Sequence, residues 1–255
     1  MFIAAAAAFA AFTSLGIWQV KRLAWKEALI AQVERNVHGA PAMGPGPAAW
    51  MSLKREADEY RRLSVRGQFA HDQETLVRAS TELGGGYWVL TPLRTEQGFW
   101  VWVNRGFVPP EWREPSKRRA TEPTGEQTVV GLLRWSEPGG SALQKNDGTQ
   151  GRWYSRDVLA MAAAQGLAGQ PVAPYFIDVA APDQPASRPA STVTPTWPRP
   201  GLTVLRFTNN HLVYALTWFA LAAMTAGALG YVVADERRLR RLADKRASHA
   251  EPARH

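Results

Sequence analysis

Two uncharged apolar stretches, residues 1–20 and 212–233, constrain this chain more than any other feature. At ~1.5 Å per helical residue each reaches roughly 30 Å, the thickness of a bilayer's hydrocarbon core. The second is rich in Leu, Val, Phe, Tyr and Trp, whereas the first leans on alanine. A cleaved signal peptide is the competing reading of the first stretch. It has no basic leading region, and Trp18 followed by Lys21 and Arg22 has the form of an interfacial anchor, so a retained span is expected.

Charge sets the expected orientation. Lys and Arg outnumber Asp and Glu by 30 to 22. Arg237, Arg238, Arg240, Arg241, Lys245 and Arg246 crowd behind the second stretch. The positive-inside rule then places both termini in the cytoplasm and the long middle segment outside, despite Lys21, Arg22 and Lys26 near its start. Asp235, Glu236, Asp244 and Glu251 interleave with the basic residues and no aromatic platform accompanies them. The tail is therefore read as contacting the lipid bilayer, and no nucleic acid is expected as a partner.

The chain divides on this reading into a first transmembrane helix (1–20), a helical extension (21–38), a linker (39–50), an outer domain (51–180), a Pro-rich connector (181–208), a second transmembrane helix (209–234) and a basic tail (235–255). Runs at 60–69, 74–78, 87–93, 99–104, 127–134 and 175–179 are rich in Val, Leu, Thr and aromatics and predict strands. Short Gly-containing turns between them favour antiparallel pairing. One helix is predicted over 156–165, capped by Ser155, with Asp157 in its first turn and Gly166 or Gly169 at its end. The fold class is α+β: two transmembrane helices flanking an extracytoplasmic domain built on an antiparallel sheet.

The absence of cysteine excludes a disulfide scaffold, thiolate metal sites, iron–sulfur clusters and a Cys nucleophile. The five histidines show no hydrolytic metal spacing, and no nucleophile elbow occurs, so no enzyme is expected. The eleven tryptophans are read mainly as core. The groups Glu59-Tyr60-Arg61-Arg62 and Asn104-Arg105-Gly106 suggest buried polar networks.

His211 stands apart because it opens the second span, and an ionisable group there is a functional hypothesis by default. On a helix His211, Tyr214, Ala215 and Trp218 share a face, which would seat a flat apolar macrocycle against an imidazole. The plainer alternative is a histidine bonded to Asn209 or water at the headgroup level. Trp18, Arg22 and Trp25 form a second stripe at the same membrane depth, with Arg22 suited to a ligand propionate; an ordinary interfacial belt is the alternative. Ala223-x-x-x-Gly227 and Ala226-x-x-x-Gly230 permit close approach to an alanine-rich neighbour, and the first span is such a neighbour.

A series of motifs runs in order along the chain: Leu15-Gly16-Ile17-Trp18-Gln19 with Arg22, Tyr60-Arg61-Arg62, Gly86-Tyr87 with Thr91-Pro92-Leu93, Val103-Asn104-Arg105-Gly106-Phe107, Gly131-Leu132-Leu133-Arg134, Pro174-Tyr175-Phe176-Ile177-Asp178 and the run from Asn209 to Phe219. The set resembles the Surfeit-locus-one family of cytochrome c oxidase assembly factors in its bacterial inner-membrane form. Phe107 stands where the family often has Trp, and the connector over 183–200 is longer and less regular. The resemblance implies a multi-pass protein with a periplasmic domain that binds haem A as transient cargo and aids its insertion into subunit I of the haem-copper oxidase. The haem A synthase is a second implied partner. By the same resemblance His211 is the haem-iron ligand, with Arg22, Trp18, Tyr214 and Trp218 around the cargo. A scaffold that steadies nascent subunits without haem remains the alternative.

Overall fold

The computed structural model describes residues 2–141, 143–180, 196–202 and 209–249, and the chain divides into two compact units, Met1–Ala31 with Arg206–His255 and Gln32–Leu205. Most of the predicted connector, at 181–195 and 203–208, lies outside the described residues, as do tail residues 250–255 and the side chains of Asp244, Lys245 and Arg246.

The first unit is built on two helices, α1 (Phe2–His38) and α4 (His211–His249). Both are long and apolar enough to cross a membrane. Each runs unbroken past its apolar stretch, since no proline interrupts either sequence. Their internal hydroxyls fold back onto the helix: Thr13 donates to Phe9 O at 2.8 Å and Thr217 to Val213 O at 2.9 Å. Such pairing removes the cost of an unsatisfied donor in hydrocarbon.

The seam between these helices forms elsewhere than the place the small-residue pattern permits. Ala215 and Ala222 are buried, and Gly16 lies under Phe219, where a Cβ would come within 2.6 Å of the ring. Phe12 stacks on Trp218 with ring centroids 5.8 Å apart. A Cβ on Gly227 or Gly230 would meet nothing within 4 Å, so these glycines do not mediate close approach to α1. Helical phase explains part of the correction: 215, 219 and 222 share one face and 227 lies off it, whereas 226 and 230 continue that face but border a groove beside Ala5, Ala6 and Phe9.

The second unit contains, among the described residues, seven strands: β1 (Ala42–Met43), β2 (Arg62–Phe69), β3 (Thr75–Thr81), β4 (Gly84–Thr95), β5 (Trp100–Val108), β6 (Glu126–Trp135) and β7 (Val172–Val179). Two short helices join them, α2 (Arg55–Asp58) and α3 (Val158–Ala164). All six predicted strands are present. The sheet is mixed rather than antiparallel throughout, because β7 pairs parallel with β5 and β1 parallel with β2. Tight turns dictate only the pairing of sequence neighbours; the long connection carrying α3 lets β7 enter between β5 and β6.

Strand β2 pairs with β6 on one side and, over Gly67–Phe69, with the end of β4 on the other. The order β2-β6-β7-β5-β4 therefore closes on itself. Gly67 sits at the closure, where a Cβ would lie 2.1 Å from Arg94 O, so only glycine admits the strands at this distance. Leu63, Val65, Val101, Val103, Tyr175 and Ile177 fill one core, while Trp102, Phe176, Trp153 and Met161 fill another beneath α3. Alternation along β5 sends Val101 and Val103 to one core and Trp102 to the other.

Two further expectations change. Residues 39–50 carry β1 and the start of a 3₁₀ turn, Pro47–Ser52, whose Trp50 packs edge-on against Phe99, so the stretch belongs to the sheet unit rather than to a plain linker. Helix α3 is capped by Asp157, which accepts from Ala160 N at 3.2 Å, and not by Ser155. Ser155 instead donates to Glu137 O at 2.6 Å and accepts from Gly140 N, tying down the preceding loop.

The flagged polar groups do form buried networks. Arg134 donates to Glu59 at 3.1 Å and Asp178 at 3.0 Å, and Asn104 donates to Asp178 at 2.8 Å. Arg105 is the extra residue where the register of β4 and β5 shifts, and it faces Glu74 at 3.6 Å. Glu74 also receives both terminal nitrogens of fully buried Arg118, at 2.9 and 2.7 Å.

Candidate functional site

His211 is the first residue of α4, and α1 supplies its partner within the same unit. Its Nδ1 lies 2.7 Å from Gln19 Oε1. An amide oxygen only accepts, so Nδ1 carries the proton and donates. The tautomer this fixes leaves a lone pair on Nε2, which has no hydrogen bond among the described residues. Gln19 is only 9% exposed, which makes its polar group costly to leave unpaired and its hold on the ring correspondingly firm.

Helical phase explains the meeting. Phe12, Gly16 and Gln19 follow one another at i, i+4 and i+7 on α1, and His211, Ala215, Trp218 and Ala222 do the same on α4. The Phe12–Trp218 stack and the Gly16–Phe219 contact hold the two faces together. The imidazole and its acceptor thus extend a packed seam.

The other predicted residues sit around this pair in different ways. Trp218 and Ala215 share the seam face with His211, as the helical spacing predicts. Tyr214 is turned to its edge, and Trp18 and Tyr214 are 55% and 54% exposed. Arg22 lies over the Trp25 ring at 3.9 Å from its centroid, so the stripe Trp18–Arg22–Trp25 flanks the Gln19 face instead of lining it. Gln19 is the residue that sequence reasoning passed over as a site member. The available signal was its position, one turn beyond Gly16 in an otherwise apolar span, where a polar amide needs a partner.

A protein with two membrane-length helices near its ends, a closed mixed-sheet unit between them in sequence, and a histidine oriented by an amide at one helix mouth is the class defined by these features. Comparison with known proteins makes this specific. The family model described as the SURF1 family matches residues 6–223. Surfeit locus protein 1 of Homo sapiens is 35% identical over 231 residues, covering 83% of this chain and 70% of the human protein. That of Rattus norvegicus is 34% identical over 228 residues, covering 83% and 69%, and the SURF1-like protein of Monosiga brevicollis is 33% identical over 223 residues, covering 83% and 79%. The chain belongs to the SURF1 family. Gln19, Arg22, His211 and Trp218 all fall within the matched residues.

Proposed function

We propose that this protein is an assembly factor for haem-copper cytochrome c oxidase that takes haem A as cargo at the outer mouth of α1 and α4 and passes it to subunit I. The observation that carries this reading is the Gln19–His211 hydrogen bond, which orients the ring and leaves Nε2 open as an iron ligand. Arg22, Trp18, Tyr214 and Trp218 would complete the site, Arg22 by exchanging its Trp25 contact for a propionate. Binding, orientation and release are the whole of the work, and no bond of the cargo changes. The haem A synthase is the natural donor, and the positive-inside arrangement puts both termini in the cytoplasm of a bacterial inner membrane with the sheet unit in the periplasm.

The test is the absorbance spectrum of protein purified from cells that make haem A. Wild type should carry a haem spectrum, and His211→Ala should lose it while retaining the fold. An unchanged spectrum and stoichiometry in the variant would refute the ligand assignment. Co-purification with subunit I from cells lacking haem A, with no haem bound in any preparation, would favour the scaffold role instead.

A further inference from the structure

We propose that a groove between α1 and α4, at the end bearing Arg237, holds one acyl chain of an anionic phospholipid whose phosphate rests on Arg237. The groove measures about 620 Å³. Its walls include Ala5, Ala6 and Phe9 of α1 and Ala226, Gly230 and Val233 of α4, with Arg237 closing one end. The hydroxyl of Thr225, the one uncharged polar side chain in the lining, donates to Leu221 O at 2.8 Å and is already satisfied. Apart from Arg237 at its end, no group in the wall therefore recommends water as the occupant.

The physical argument starts from the membrane. An empty apolar groove at this depth forfeits dispersion contacts, and water within it would lack the two to four polar partners it needs. A groove of about 620 Å³ falls within the roughly 300–1,000 Å³ of small-ligand sites and has room for one acyl chain.

Charge identifies the headgroup. Arg237 lines the groove at the end where the uncharged stretch gives way to Arg238, Arg240 and Arg241. A guanidinium at that boundary donates charge-assisted hydrogen bonds to a phosphate, and the four arginines of residues 235–241, against Asp235 and Glu236, favour a lipid of net negative charge over a zwitterionic one. The groove lies apart from His211, and residues 226–237 lie beyond the family match at 6–223, so the proposal stands independently of the haem reading.

The experiment uses the full chain in nanodiscs of phosphatidylcholine doped with phosphatidylglycerol bearing a diazirine on its acyl chain, with adducts mapped by mass spectrometry. Labelling should concentrate on residues 5–9 and 225–234. Arg237→Gln should lower it about fivefold, the effect of one arginine near an anionic surface. Gly230→Leu should abolish it by filling the groove. Gly227→Leu, which also points into open space but does not line the groove, should leave it unchanged. Arg237 is exposed, and a side chain at Gly230 meets no atom within 4 Å, so both variants keep the helix pair intact. Equal labelling by a matched phosphatidylcholine probe, even labelling around both helices, or indifference to Arg237→Gln would overturn the proposal.

Discussion

Replacing Arg118 by Met tests the reasoning about the sheet unit most directly. The guanidinium is fully buried and makes four hydrogen bonds, two to Glu74 Oε1 at 2.9 and 2.7 Å, one to Trp112 O at 2.8 Å and one to Arg113 O at 2.9 Å. Its loss leaves the Glu74 carboxylate, whose side chain is 6% exposed, with Arg105 at 3.6 Å as its cation among the described residues and with Glu122 opposing its charge. Removing one partner of such a pair costs about 3–5 kcal/mol. At about 2–4 °C per kcal/mol for a unit of this size, the melting temperature should fall by roughly 6–20 °C.

Lowering the pH should restore part of that loss. Burial already pushes Glu74 above its ordinary 4.5, against the pull of Arg118 and Arg105. A carboxyl raised on folding binds more protons folded than unfolded, so its contribution is fully present below 4.5 and is lost as pH rises through the folded value. Without Arg118 the upward push is stronger, and the penalty should be smaller at pH 5 than at pH 8. Thermal and urea unfolding of the detergent-solubilised chain, followed by tryptophan fluorescence, reads both effects. The double variant Glu74→Gln/Arg118→Met should be more stable than the sum of its single variants implies. A cost under about 1 kcal/mol for Arg118→Met, or strict additivity in the cycle, refutes the account.

Gly67→Val should destabilise the closure of β2 on β4 by about 3 kcal/mol or more, since its Cβ would overlap Arg94 O; a urea midpoint close to wild type would contradict this. Asp147 is held down at about 2 by the Thr149 hydroxyl, then by Arg152 and Gln150 N. Its contribution is therefore present above its ordinary 3.8 and lost as pH falls toward 2, so Asp147→Asn should flatten the dependence of melting temperature on pH across that window. Nitrogen-15 NMR of histidine-labelled protein should show His211 protonated on Nδ1. Gln19→Leu should shift it toward the Nε2–H tautomer, and an unchanged tautomer would remove Gln19 from the site.

The linear pattern determined what depends on neighbours along the chain. Twenty uncharged residues at one end and a second such run near the other force long helices, because a backbone in hydrocarbon can satisfy its polar groups only within itself. Short β-rich runs broken by glycine force strands, and the position of His211 at the start of an apolar run marks it as a candidate from sequence alone. The ordered motifs carried the family. Tertiary structure alone decided which distant groups meet. That β7 enters parallel beside β5, that β2 closes onto β4 at Gly67, that Arg118 reaches Glu74 and that Gln19 holds His211 across 192 positions are long-range contacts with no local periodicity to announce them. The same reason explains the misplaced helix seam: a small-residue pattern marks where a neighbour can approach, whereas the packing of Phe219 over Gly16 selects where it does.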